Sequence, residues 1–113
     1  MNGLIIRSPW VEMILDGKKT WEIRGRSTHL RGKIALIRGG SGLIVGTCHL
    51  VGVVGPLKPE EYRMNAPKAG LTRSETQRLP YEKTYAWVLR GARKFRHPRR
   101  YRHPSGAVIW VKL

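Results

Sequence analysis

The run Leu43–Val54, LIVGTCHLVGVV, limits what this chain can become more than any other stretch. In an extended strand Leu43, Val45, Thr47, His49, Val51 and Val53 share one face, and Ile44, Gly46, Cys48, Leu50, Gly52 and Val54 the other. Both faces are largely apolar and need cover, which makes this a central strand of a curved sheet or barrel. Gly46 and Gly52 mark positions of sharp bending or close backbone approach. Other strand-like segments surround it: Leu4–Arg7, Gly32–Arg38, Thr84–Arg90 with Tyr85, Trp87 and Leu89 on one face, and Gly106–Leu113 at the chain's close. Lys58–Asn65 reads as a short helix, and Thr72 with Glu75 has the spacing of a capping box, opening a second helix to about Leu79. There is no βαβ rhythm, repeat or linker. The reading is a mostly β fold with short helices, a small and mostly closed β-barrel forming one domain over residues 1–113.

The chemistry concentrates in Ser8–Arg24, SPWVEMILDGKKTWEIR. Ser8 suits an N-cap and Pro9 the first helical position. Val11, Ile14 and Leu15 form an apolar stripe at helical spacing, and Gly17 is a natural stop. Beyond it, Lys19, Trp21 and Ile23 alternate with Thr20, Glu22 and Arg24, as in a strand, with Lys19 left free at the strand mouth.

Charge narrows the class of partner. Lys and Arg number 22 against 7 acidic residues, a formal +15 in 113 residues. A surplus that large points to an anionic partner, and RNA or DNA ranks ahead of lipid because no basic amphipathic helix is visible. Ala92–Pro104 has no acidic residue and reads as a basic loop or irregular strand broken by Pro98 and Pro104. Within it Arg93, Lys94, Arg96, Arg99, Arg100 and Arg102 can contact phosphates, while Phe95 and Tyr101 can stack on bases. Arg26 and Arg31, flanking the polar stretch after the Glu22–Arg24 segment, can join them. The alternative is a solvated basic surface that keeps the protein soluble.

The segments PWVEMILDGKKTWEIR, RGKIAL and YRHPSGAVIWVKL resemble the ASCH domain family of the PUA-like superfold over nearly the whole chain. Gly17, Lys19, Thr20, Glu22 and Arg24 match its core motif of glycine, any residue, lysine, then Thr–x–Glu–x–Arg. The resemblance implies a small PUA-like β-barrel acting in RNA metabolism, and in some members a ribonuclease-like activity. One bacterial branch resembles an amidohydrolase that removes acyl groups from N4-acylated cytidine with a lysine, a threonine and a glutamate. Its lysine corresponds to Lys19, its threonine falls where this chain has Glu22, and Glu82 or Glu75 stands near the place of its glutamate.

From these residues the candidate catalytic set is Lys19, Glu22 and Tyr85, with Tyr62 as a second phenol. A partly desolvated lysine has a lowered pKa and serves as base or nucleophile, and a carboxylate beside it can move a proton. Arg24 joins the phosphate-binding set. Trp10 and Trp21 flank the expected cleft, either stacking on a base or packing in the core. The competing reading makes Lys19, Glu22 and Arg24 an ion-pair network that anchors a loop. His29, His49, His97 and His103 lack zinc-motif spacing, so no resident metal or cofactor is expected beyond a transient Mn²⁺ or Mg²⁺. Cys48, alone in an apolar run, reads as a buried thiol. The function expected is binding of single-stranded RNA in a basic cleft, with phosphodiester hydrolysis; the alternatives are the nucleoside amidohydrolase and a non-catalytic recognition module. A cytoplasmic monomer or weak dimer with no membrane partner completes the expectation, since no signal-peptide pattern is present.

Overall fold

The computed structural model describes residues 1–113. Six strands and two short helices follow in the order β1 (Asn2–Ile6), α1 (Trp10–Leu15), β2 (Trp21–Arg24), β3 (Gly32–Arg38), β4 (Leu43–Val54), α2 (Pro59–Met64), β5 (Tyr85–Arg100) and β6 (Trp110–Lys112). They form one sheet in the order β2-β5-β4-β3-β1-β6. β1 runs parallel to β3, and every other pairing is antiparallel. β4 occupies the centre that its two apolar faces require. No main-chain ladder joins β2 to β6, so the sheet curls into a half-barrel with an open seam rather than the nearly closed barrel read from sequence.

Curvature comes from breaks in register along β4 and β5. A Cβ at Gly46 would collide with the Arg93 carbonyl and with the Leu15 side chain, so only glycine lets β5 and α1 close on β4 here. Phe95, Arg96, His97 and Pro98 all face Val45 alone, between the pairs Ile44–Arg99 and Gly46–Lys94. That excursion is why Pro98 does not end the strand. A proline is tolerated where its missing N–H would not enter the ladder, so of loop and irregular strand the basic segment is the irregular strand, through Arg100.

The concave face holds the main core, where Leu4, Ile6, Val11, Ile14, Leu36, Val45, Leu50, Trp87 and Leu89 are buried. The Trp87 ring stacks on Trp110 at 5.7 Å, and its indole N–H donates to the Arg26 carbonyl at 2.9 Å, satisfying the polar edge of a buried ring. Cys48 is buried here too, and burial pushes its thiol up to about 12. On the convex side Trp21, Leu57, Tyr62, Ala69 and Ala86 form a second cluster that seats α2 on β2 and β5.

The helix ends differ from expectation in instructive ways. α1 starts at Trp10 with Pro9 as its cap residue, and the Ser8 hydroxyl instead donates to the Glu12 carboxylate, 3.1 Å away. Glu12 also accepts from Arg38 Nε at 2.9 Å, which ties α1 to β3. Gly17 does end the helix, with φ +78. The Thr72–Glu75 capping box forms, but it opens only a single 3-10 turn at Ser74–Thr76, and the chain does not stay helical to Leu79.

Candidate functional site

The open seam is where the functional side chains collect. α1 ends at Gly17, and the chain turns through Lys18–Thr20 into β2, which lies at the sheet's edge beside β5. Across the gap stands β1. Here a cleft of about 380 Å³ opens, lined by Lys19, Glu22, Ile23 and Arg24 from the β2 side, Ile5, Arg7 and Trp10 from the β1–α1 side, and Tyr62, Leu71 and Tyr81 from the α2 side. Val108 stands at its mouth.

Lys19 is only 3% exposed, so it is not free at the strand mouth as its position before β2 suggested. The segment 66–71 folds over it. The Ala69 carbonyl accepts from Lys19 Nζ, while the Lys68 carbonyl accepts from the Thr20 and Trp21 amides at 2.9 Å each. The Glu22 carboxylate stands between two cations. Its Oε1 lies 3.6 Å from Lys19 Nζ, and its Oε2 accepts from Arg24 Nε at 2.9 Å and faces Arg24 Nη2 at 2.7 Å. Arg24 Nη2 also donates across the seam to the Ile5 carbonyl at 2.9 Å, and its guanidinium lies 5.6 Å from the centre of the Trp87 ring. Burial pushes the Lys19 ammonium pKa down, Arg24 adds to this, and Glu22 opposes it without cancelling it. The Tyr62 hydroxyl is pushed up, by burial first and then by Glu75 and Tyr81.

The cleft therefore carries Lys19, Arg24 and Arg7 against the single carboxylate of Glu22, between the aromatic rings of Trp10 and Tyr81. Excess positive charge beside exposed aromatic surface suits a planar ligand bearing an anionic group.

Not every residue singled out from the sequence lies here. Tyr85 does not line the cleft; its ring lies against Gly55 and the main core, and Tyr62 and Tyr81 supply the phenols instead. Trp10 lines the cleft, whereas Trp21 is buried in the convex cluster under the Lys68 ammonium, which lies 5.3 Å from its ring centre. Arg26 and Arg31 are exposed in the β2–β3 connection, where Arg31 Nη1 donates to the Thr28 and Leu30 carbonyls. Arg93, Lys94, Arg96, Arg99 and Arg100 are exposed along β5, with Arg102 just beyond it, and none of the six has a carboxylate partner. Arg99 lies over the Phe95 ring at 5.0 Å. Tyr101 is held by its hydroxyl, which is 2.8 Å from His103 Nδ1, while His103 Nε2 donates to the Ala107 carbonyl at 2.9 Å. That clasp shapes the segment carrying Val108 to the cleft. No helix is long and apolar enough to cross a membrane, and no three His, Cys, Asp or Glu side chains come together as metal ligands.

Sequence reasoning missed Arg7, Tyr81 and Val108. Arg7 carried a signal, since it directly follows β1 and precedes the α1–β2 segment. Tyr81 and Val108 reach the cleft from distant loops, and nothing in their local sequence marks them.

Residues 4–99 match the family model described as the ASCH domain. The chain belongs to the ASCH domain family. Its fold agrees with the crystal structure of ASCH from Zymomonas mobilis at a TM-score of 0.75 and 18% identity, covering 99% of this chain and 86% of that one. A serine-to-alanine mutant of the same protein gives 0.74 at 18% identity, covering 99% and 87%, and a tyrosine-to-phenylalanine mutant gives 0.70 at 20% identity, covering 88% and 74%. At these identities the likeness is one of fold. No curated protein matches the chain. Within the ASCH fold seen here, the motif residues Lys19, Glu22 and Arg24 face the seam, with Gly17 and Thr20 framing the turn that puts them there.

Proposed function

We propose that this ASCH domain binds single-stranded RNA, seating one nucleotide in the seam cleft and carrying the backbone on the basic stretch of β5 and its extension to Arg102. The observation that supports this most is the division of charge. The ion pairs of the fold hold Lys19 and Arg24 on Glu22 and Arg38 on Glu12, whereas no carboxylate pairs with any cation of β5, and these face solvent. Such a surface attracts a polyanion with little sequence preference, and stacking on Trp10 and Tyr81 adds affinity for an unpaired base.

The depressed pKa of Lys19 supports a cleavage step in the same cleft. The lowered pKa makes the amine form of Lys19 more accessible as the base that takes the proton of a ribose 2′-hydroxyl, whose oxygen attacks the neighbouring phosphorus. The bond to the 5′-oxygen breaks, and a tyrosine hydroxyl or water supplies that oxygen with a proton. Arg24 balances the charge on the phosphorane, and Glu22 holds Lys19 in place. The same buried amine in a cleft of nucleoside size supports the second reading, removal of an acyl group from N4-acylated cytidine.

The test incubates labelled single-stranded RNA with the wild type, Lys19→Ala and Glu22→Ala, with and without Mn²⁺, and scores retention and cleavage together. Retention in all three with cleavage lost in either variant supports the full reading. Retention with no cleavage leaves recognition alone. No retention sinks the RNA reading and turns the assay to acylated cytidines.

A further inference from the structure

We infer a second anion subsite on the convex face, built from Lys68, Arg90 and the Thr20 hydroxyl beside Trp21, which takes a phosphate group. A depression of about 180 Å³ lies there, lined by Thr20, Trp21, Lys68, Val88 and Arg90, and it is separate from the seam cleft. Lys68 and Arg90 arrive from elements far apart in sequence and converge with no carboxylate beside either one. Two cations are not brought together without a counter-charge unless the fold holds them or a ligand neutralises them. The fold does hold the backbone of this site. The Lys68 carbonyl is fixed by the Thr20 and Trp21 amides, the Thr20 carbonyl accepts from the Leu89 amide at 2.8 Å, and the Lys68 ammonium is parked on the indole. Main-chain bonds thus consume the backbone groups of Thr20, whereas its hydroxyl has no partner within the protein. The outcome is three donors around one small hollow, two of them charged, which matches the acceptor oxygens of a phosphate.

The position has a consequence for the seam. Lys19 and Glu22 line the cleft while Thr20 and Trp21 line this hollow, because the chain turns before β2 begins at Trp21, and segment 66–71 grips Lys19 on one side and Thr20 on the other. The phosphate can come from a nucleic acid strand passing over β2, which rests on the RNA reading above, or from free inorganic phosphate.

The test compares Lys68→Ala/Arg90→Ala with the charge-matched control Lys58→Ala/Arg63→Ala on α2, first in the salt dependence of binding to a single-stranded oligouridylate. The subsite predicts that the first variant lowers the slope of log affinity against log salt by about 0.7, the value for one phosphate on a single strand, and the control does not. Equal losses in the two variants mean general attraction only and overturn a subsite for nucleic acid. Amide spectra titrated with inorganic phosphate form the second arm, and they decide the matter if the wild type does not bind RNA at all. Shifts at Thr20 and Lys68 in the wild type that are absent in Lys68→Ala/Arg90→Ala support the subsite independently of RNA. A wild type with neither the slope difference nor those shifts refutes it.

Discussion

Arg24 Nη2 on β2 donates to the Ile5 carbonyl on β1 across 2.9 Å, bridging two strands that share no main-chain ladder. A side chain thus closes the half-barrel where backbone pairing stops, and the same guanidinium forks onto Glu22. The cleft exists because the seam is spanned by a side chain rather than sealed by a strand.

Arg24→Ala removes that span and leaves Glu22 buried with one partner, which costs about 2–4 kcal/mol. Arg24→Lys recovers only part of this, because one ammonium cannot reproduce a planar fork that serves a carboxylate and a carbonyl together. Urea unfolding of both variants checks the order: wild type, then lysine, then alanine.

Gly70 sits at φ +69, and a Cβ there would lie 2.8 Å from Met13 Cε and 3.3 Å from Lys19 Cδ. Gly70→Ala therefore combines roughly 1–2 kcal/mol of backbone strain with a push on the lysine stem. Thermal unfolding should show the first effect. A loss of RNA retention under conditions where the variant is fully folded should show the second.

Lys19 gives up its proton at a lower pH in the folded chain than in the unfolded one. Between its folded value and the ordinary value of about 10.4, the unfolded state binds the extra proton, so stability rises with pH across that window. Lys19→Met lacks this rise. Unfolding midpoints of both proteins, measured stepwise from neutral pH toward that upper value, should shift in the wild type's favour relative to the variant as pH rises. A constant difference across the window contradicts the assignment.

The basic residues of β5 act through charge. Arg93→Ala and Arg100→Ala, both exposed, leave stability within about 0.5 kcal/mol. Each lowers RNA affinity for every sequence tested and reduces the salt slope by about 0.7 if it holds one phosphate. An unchanged slope with lost affinity would point to altered packing instead.

Much of this architecture was legible in the residues. The β4 run announced a central strand because both of its faces needed cover, and its bounds match those read from the sequence. Alternation after the glycine stop put Glu22 and Arg24 on one face but Lys19 on the other; the turn ahead of β2, which starts only at Trp21, is what brings Lys19 to Glu22. The open seam was not legible, since it depends on which strands fail to pair across the whole chain. The burial of Lys19 was hidden for a similar reason: its cover, the Ala69 carbonyl, comes from a segment fifty residues away whose local sequence reads only as a loop. Past Ala92 the residues left loop and irregular strand both open, because prolines normally end strands, and the excursion opposite Val45 that accommodates Pro98 is a property of the pair, not of either strand alone.

The most direct test of the account is photocrosslinking of the wild type to a single-stranded RNA carrying 4-thiouridine, with the attached residues identified by mass spectrometry. The account predicts crosslinks at Trp10 or Tyr81 in the cleft and at Phe95 on β5, all suppressed by salt. Crosslinks confined to other surfaces, with the cleft aromatics untouched, would contradict it.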